Sequence, residues 1–203
     1  MITIVDYGMG NLGSVANMLK KIGTESIITS DPDRIGNAEK IILPGVGSFD
    51  SAIRKIDELR LREIITARAL LNKVPTLGIC LGMQLLMDGS DEGVLHGLGL
   101  IKGKAYSFRD YLSNGLKIPH MGWNDVTISN PGPLTQGFPD EIRFYFVHSY
   151  FVRTANEADS MMKCNYGLEF DAAVQHENIF GAQFHPEKSH KFGMQFLRNF
   201  ASV

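Results

Sequence analysis

VPTLGICLGMQLLM, residues 74–87, runs an apolar stretch into a helical pattern through a cysteine flanked by glycines. VPTLGI (74–79) reads as a strand and LGMQLLM (81–87) as the start of a helix. The junction Gly78-Ile79-Cys80-Leu81-Gly82 is G-x-C-x-G, the thiol counterpart of the G-x-S-x-G nucleophile elbow. Such a turn is crowded at its tip and stands the sulfur at the carboxyl edge of a sheet, where open α/β folds place ligands. The N–H groups of the following helix favour a thiolate there and can stabilise an oxyanion. Taken alone, the stretch fits a buried structural cysteine equally well, because cysteine is among the most buried residue types.

Outward from this unit the same alternation repeats. ITIV (2–5), SIIT (26–29) and KIIL (40–43) read as strands, and NLGSVANMLKKIG (11–23) as a helix with Leu12, Val15, Ala16 and Leu19 on one face. Residues 51–71 read as one longer helix through Ile53, Ile56, Leu59, Ile64 and Ile65. Strands alternating with helices predict an α/β fold with a mostly parallel central sheet covered by helices. Past residue 120, DVTIS, IRFYFVHSYFV and DAAVQ, separated by turns such as NPGP (130–133), predict additional antiparallel β-ribbons. SHKFGMQFLRNFASV closes the chain with Phe192, Phe196, Leu197 and Phe200 at helical spacing. Nothing resembles a linker, so 1–203 is expected to form a single domain.

With 20 basic and 22 acidic residues and no basic run longer than Lys20-Lys21, a nucleic-acid surface is not expected. No segment has the length and apolarity of a membrane span, and MITIVDYGMG does not read as a signal peptide. Cys80 and Cys164 make neither a disulfide framework nor a zinc motif. A cytoplasmic protein with reduced thiols and no metal or cofactor is expected.

One motif points to a different chemistry. GMGNLG (8–13) is a literal G-x-G-x-x-G opening a helix, and Asp31 lies at about the distance a dinucleotide fingerprint requires. Asp6 and Tyr7 separate the strand from the first glycine, and glycines also serve simply to turn a strand tightly into a helix. A dinucleotide-binding oxidoreductase therefore stands as an alternative.

A thiol nucleophile needs a base. Of six histidines, His185 stands out in GAQFHPEKS (181–189): Glu187 is two residues on, and an extended backbone would point both side chains to one face. A carboxylate beside an imidazole fixes its tautomer and stabilises the imidazolium. A lone HPE reads more simply as a surface histidine near a solvated glutamate; beside the cysteine elbow it reads as the rest of a triad.

VDYGMGNLGSV, ILPGVGSF, TLGICLGMQLL, KIPHMGWN, YFVHSY and AVQ–FGAQFHPEKS, in this order over residues 2–200, resemble the class I glutamine amidotransferases. PHMGWN and YFVHSY narrow the resemblance to the glutaminase subunits of imidazole glycerol phosphate synthases. It implies a Cys80–His185–Glu187 triad that hydrolyses L-glutamine through a thioester. It also implies an oxyanion hole from the backbone N–H of Leu81 and of Val46 or Gly47, and glutamine contacts from Gln84, Glu92, His148, Ser149 and Tyr150. The family partner is a (β/α)8-barrel cyclase that receives the ammonia, and Asn11 and Trp123 resemble positions of that interface. EKSHKFG (187–193) departs from the histidine-pathway pattern and resembles paralogues that supply ammonia to a sugar amidotransferase in surface-polysaccharide synthesis.

Overall fold

The structure is a computed structural model that describes residues 1–112 and 115–203. The first half comprises β1 (Ile2–Val5), α1 (Leu12–Lys21), β2 (Ser26–Thr29), α2 (Pro32–Gly36), β3 (Ile41–Gly45), α3 (Phe49–Glu58), α4 (Arg62–Leu70), β4 (Thr76–Cys80) and α5 (Leu81–Leu85). Then come β5 (Gly89–Ser90), β6 (Gly103–Ser107), α6 (Phe108–Tyr111), β7 (His120–Ile128), β8 (Ile142–His148), β9 (Tyr150–Thr154), β10 (Ser160–Asn165), β11 (Glu169–His176), β12 (Ile179–Ala182) and α7 (His190–Ser202).

Among the described residues the strands join one sheet whose main path runs β2-β1-β3-β4-β12-β11-β10-β7-β8. Pairings from β2 through β12 are parallel, and those from β12 to β8 are antiparallel. β1, β3, β4 and β12 are buried on both faces, whereas the edge strand β2 is partly exposed. Ile4, Ile42, Leu77 and Phe180 pack on one side with α1 and α7. Val5, Leu43 and Ile179 pack on the other with α3 and α4. That double burial is why these strands read as continuous apolar runs rather than alternating ones.

Three expectations need correction. The helix read across 51–71 is two helices. Leu59 N–H closes the first on the Lys55 carbonyl, Arg60 adopts a left-handed φ of 56°, and Leu61 N–H returns to the Ile56 carbonyl. The apolar spacing continues across the break because both helices cover one core, so periodicity alone reads straight through it. IRFYFVHSYFV is likewise two strands, turning at Ser149. The helix after Cys80 is shorter than its apolar pattern, five residues ending at Leu85.

Asp31, the acid that completed the dinucleotide pattern, caps α2 by accepting from Asp33 N–H at 2.9 Å. The glycine loop meanwhile leans on the end of β3: the Tyr7 hydroxyl donates to the Pro44 carbonyl at 2.6 Å. Those contacts account for the motif as a turn and a cap. Among the described residues no helix is long and apolar enough to cross a membrane.

Candidate active site

Strands β3 and β4 run side by side with Gly45 opposite Cys80, so their carboxyl ends share one edge of the sheet. Cys80 sits at the turn into α5 with φ 55° and ψ −109°, a conformation that strains a residue bearing a Cβ. The packing leaves little alternative. A Cβ on Gly82 would fall 1.7 Å from the Leu43 carbonyl oxygen, and one on Gly78 would fall 2.5 Å from the Gly82 oxygen. The helix therefore presses directly onto the strand edge, and the chain clears the corner only through Cys80.

A pocket of about 320 Å³ opens at this corner, walled by Cys80, Leu81, Val46, Gly47, Gln84, Glu92, His148, Ser149, Tyr150 and His185, together with Pro119, Val147 and Lys188. All residues read from the sequence as oxyanion or glutamine contacts thus meet in one cavity, although they come from α5, β8, β9 and the loops after β3, β5 and β8. Pro119, Val147 and Lys188 were not expected. Proline, valine and a surface lysine bear no chemical signature that points to a site.

His185 arrives on the segment following β12, which is parallel to β4 and places Ala182 beside Ile79. Its Nδ1 is 2.7 Å from Glu187 Oε1, and both side chains are almost wholly buried. The expected route to this contact was wrong in detail. Glu187 lies in a single 3-10 turn (Pro186–Lys188), not on extended backbone, and curls back to reach the ring. His185 Nε2 is buried and without a hydrogen-bond partner. Burial opposes the imidazolium, but the Cys80 thiol and the Glu187 carboxylate favour it more strongly and raise the pKa to about 10.

Several side chains in the wall are already engaged. Glu92 accepts from the Phe49 N–H at the start of α3, at 2.9 Å. Burial raises its pKa. His148 has both ring nitrogens occupied, Nδ1 by the Tyr150 carbonyl at 2.7 Å and Nε2 by His120 Nδ1 at 2.9 Å. It offers no free polar atom to the pocket. Gln84 gives its amide N–H groups to the Tyr150 carbonyl and to Gln183 Oε1.

Asn11 and Trp123 stand apart from the pocket. Asn11 is exposed at the start of α1. Trp123 is exposed on β7, where a lone tryptophan more often belongs to a core.

The whole chain matches known proteins. Residues 3–202 fit the family described as glutamine amidotransferase class-I. The chain belongs to the class I glutamine amidotransferase family. A Methanococcus maripaludis protein named imidazole glycerol phosphate synthase subunit HisH 2 is 52% identical over 98% of both chains. A Bdellovibrio bacteriovorus protein named imidazole glycerol phosphate synthase subunit HisH is 47% identical over the full length of both. The HisH 2 protein of Pseudomonas aeruginosa is 43% identical, again over both full lengths. A solved structure described as a glutamine amidotransferase superposes with a TM-score of 0.76 at 16% identity, covering all of both chains. PurLQS from Thermotoga maritima superposes with a TM-score of 0.74 at 22% identity, covering 99% of this chain and 97% of that one. At those identities the superpositions establish the fold. As a class I glutamine amidotransferase, the protein is an enzyme.

Proposed function

We propose that the protein is the glutaminase subunit of an imidazole glycerol phosphate synthase, a single cytoplasmic domain that releases ammonia from L-glutamine for a (β/α)8-barrel cyclase. The observation that supports the chemistry is Cys80 at a strained elbow, sharing its pocket with His185, which Glu187 holds at 2.7 Å. Support for the pathway comes from the full-length similarity to proteins named HisH.

In this reading the Cys80 sulfur attacks the side-chain amide carbon of glutamine. The carbonyl π electrons move to oxygen, where the N–H of Leu81 and of Val46 or Gly47 receive the oxyanion. His185 gives the Nε2 proton to the departing nitrogen, the C–N bond breaks, and ammonia leaves a γ-glutamyl thioester. The same Nε2 then takes a proton from water as its oxygen attacks the thioester, and collapse breaks the C–S bond to return glutamate and the thiolate beside the imidazolium. Glu187 keeps the ring oriented through both steps by accepting from Nδ1–H.

A second reading keeps this chemistry and sends the ammonia to a sugar amidotransferase. It is favoured by EKSHKFG, where His190 stacks on Trp123 at the face expected to meet the partner. One experiment separates the two: mixing the pure protein with the cyclase subunit and its phosphoribosyl-carboxamide substrate. Stimulated release of glutamate is the expected result; no stimulation favours the sugar pathway. Retained glutamine hydrolysis in Cys80→Ala would overturn the chemistry itself.

A further inference from the structure

Gln183 is fully buried, lies outside the pocket wall, and places Nε2 at 3.8 Å from Cys80 Sγ. We propose that Gln183 is a further catalytic residue of this glutaminase, one that donates from the buried side to the Cys80 thiolate. The inference rests on Cys80 being the nucleophile.

An amide could equally present oxygen to the sulfur, so its orientation is the point to establish. A backbone carbonyl only accepts, and the Tyr150 carbonyl lies 3.3 Å from the Gln84 amide. Gln84 must therefore turn its nitrogen inward. The same nitrogen is 3.2 Å from the amide of Gln183, which must answer with oxygen. With Oε1 committed, Gln183 has its N–H groups on the side of the sulfur. A single acceptor thus sets the direction of the chain Cys80 ← Gln183 ← Gln84 → Tyr150.

The same carbonyl fixes a second arm. His148 Nδ1 must carry a proton to donate to it, so His148 Nε2 accepts from His120 Nδ1–H. His120 Nε2 then accepts from Asn124 Nδ2, which also donates to the Asn165 carbonyl at 3.0 Å. Both arms agree with every acceptor along their length, and neither has slack for a flipped amide or ring.

The backbone around Gln183 is held as firmly as its side chain. Gln183 N–H donates to the Ala172 carbonyl and His185 N–H to the Tyr145 carbonyl. Between them Phe184 stacks on Phe144 at 3.7 Å. Gln183 lies on the bend that follows β12 and His185 directly after it, and from this bend the Gln183 amide comes within 3.8 Å of the Cys80 sulfur. The acid–base residue, in the same pocket wall as Cys80, and the amide donor to its sulfur thus both follow the end of β12. A hydrogen bond to an anion is stronger than one to a neutral acceptor, so the amide favours the thiolate over the thiol.

Alkylation by iodoacetamide tests this without using glutamine turnover, and so fails independently of the functional assignment. Cys164 does not interfere, because it is buried and burial pushes its thiol up to about 12. Gln183→Met retains the bulk and removes the donor. The pH profile of its alkylation rate should move about one pH unit to the alkaline side of the wild-type profile, with the alkaline plateau unchanged. A folded variant whose profile coincides with that of the wild type overturns the proposal. If the variant does not fold, the wild-type protein answers. The side-chain amide protons of Gln183, followed by nitrogen-15 NMR, should shift when Cys80 is alkylated, and an unmoved signal is equally decisive against it.

Discussion

Trp123 and His190 lie face to face, their rings 5.6 Å apart and within 7° of parallel. The indole comes from β7 and the imidazole from the first residue of α7, where His190 takes a left-handed φ of 46°. Arg143 lies over the same indole at 5.8 Å. Neither ring is covered by the protein's own core, so the stack is a preformed, exposed platform. It also joins the expected docking tryptophan to the residue at which the C-terminal segment departs from the histidine-pathway pattern.

A rigid, exposed aromatic stack of this kind is the usual anchor of a protein interface. Trp123→Ala should raise the concentration of cyclase needed for half-maximal glutaminase stimulation at least about tenfold. His190→Ser frees one face of the indole and should change the same quantity by a smaller factor. Titration of glutamate release against added cyclase checks both, and an unchanged midpoint for Trp123→Ala removes this face from the interface.

The elbow makes a prediction about stability. A methyl group at Gly82 meets the Leu43 carbonyl at 1.7 Å, with backbone on both sides and no flexible side chain to yield. Gly82→Ala must open the contact between α5 and β3, with a loss of about 3 kcal/mol or more. Urea unfolding would show it, and a variant within about 0.5 kcal/mol of wild type would mean that helix and strand can separate freely.

For Glu187 the sign of the pH effect follows from His185. The folded imidazole has its pKa raised from 6.5 to about 10. The stability this contributes is complete below about 6.5 and is lost as pH rises through about 10. Glu187→Gln removes the carboxylate, so the alkaline limb of both stability and turnover should move to lower pH. Loss of the orienting group should also cut kcat by about a hundredfold or more, with a smaller change in KM. A pH–rate profile with an unmoved alkaline limb and an unchanged kcat excludes the orienting role.

The parts of this molecule legible in its sequence are those whose residue types are rare in their pattern. G-x-C-x-G and HPE singled out Cys80, His185 and Glu187, which the fold brings to one corner of the sheet, and strand–helix alternation identified the parallel half of the sheet. Periodicity read across the break at Arg60 because both helices bury the same kind of residue on the same side. The curl of Glu187 in a 3-10 turn was invisible because two-residue spacing describes only an extended chain. Gln183 follows the end of β12 on a bend, where no periodicity rule predicts which way a side chain turns. Gln84 was read only as a glutamine contact implied by resemblance; that its N–H groups face two acceptors 66 and 99 residues away in the chain was out of reach of any local pattern.

The paired imidazoles give a last test, on the acid side. Burial lowers the pKa of His120 to about 4. Burial, with the neighbouring His120, lowers that of His148 to about 3. The unfolded chain takes up these protons near 6.5, well before the folded protein does. Stability from the pair is therefore complete above about 6.5 and is lost as pH falls toward 4 and then 3. His120→Phe keeps the aromatic packing against Phe146 and Tyr166, whose rings lie 4.8 and 4.1 Å away. It removes one of the two titrating groups and leaves His148 Nε2 without its donor. Its stability at pH 7 should be lower, and the dependence on pH between 6.5 and 4 should be shallower by up to about 1.4 kcal/mol per pH unit. Urea unfolding of the two proteins across that range checks the slope. An equal slope would show that His120 is protonated alike in the folded and unfolded chains, and that the hydrogen-bonded arm through His148 does not hold it neutral.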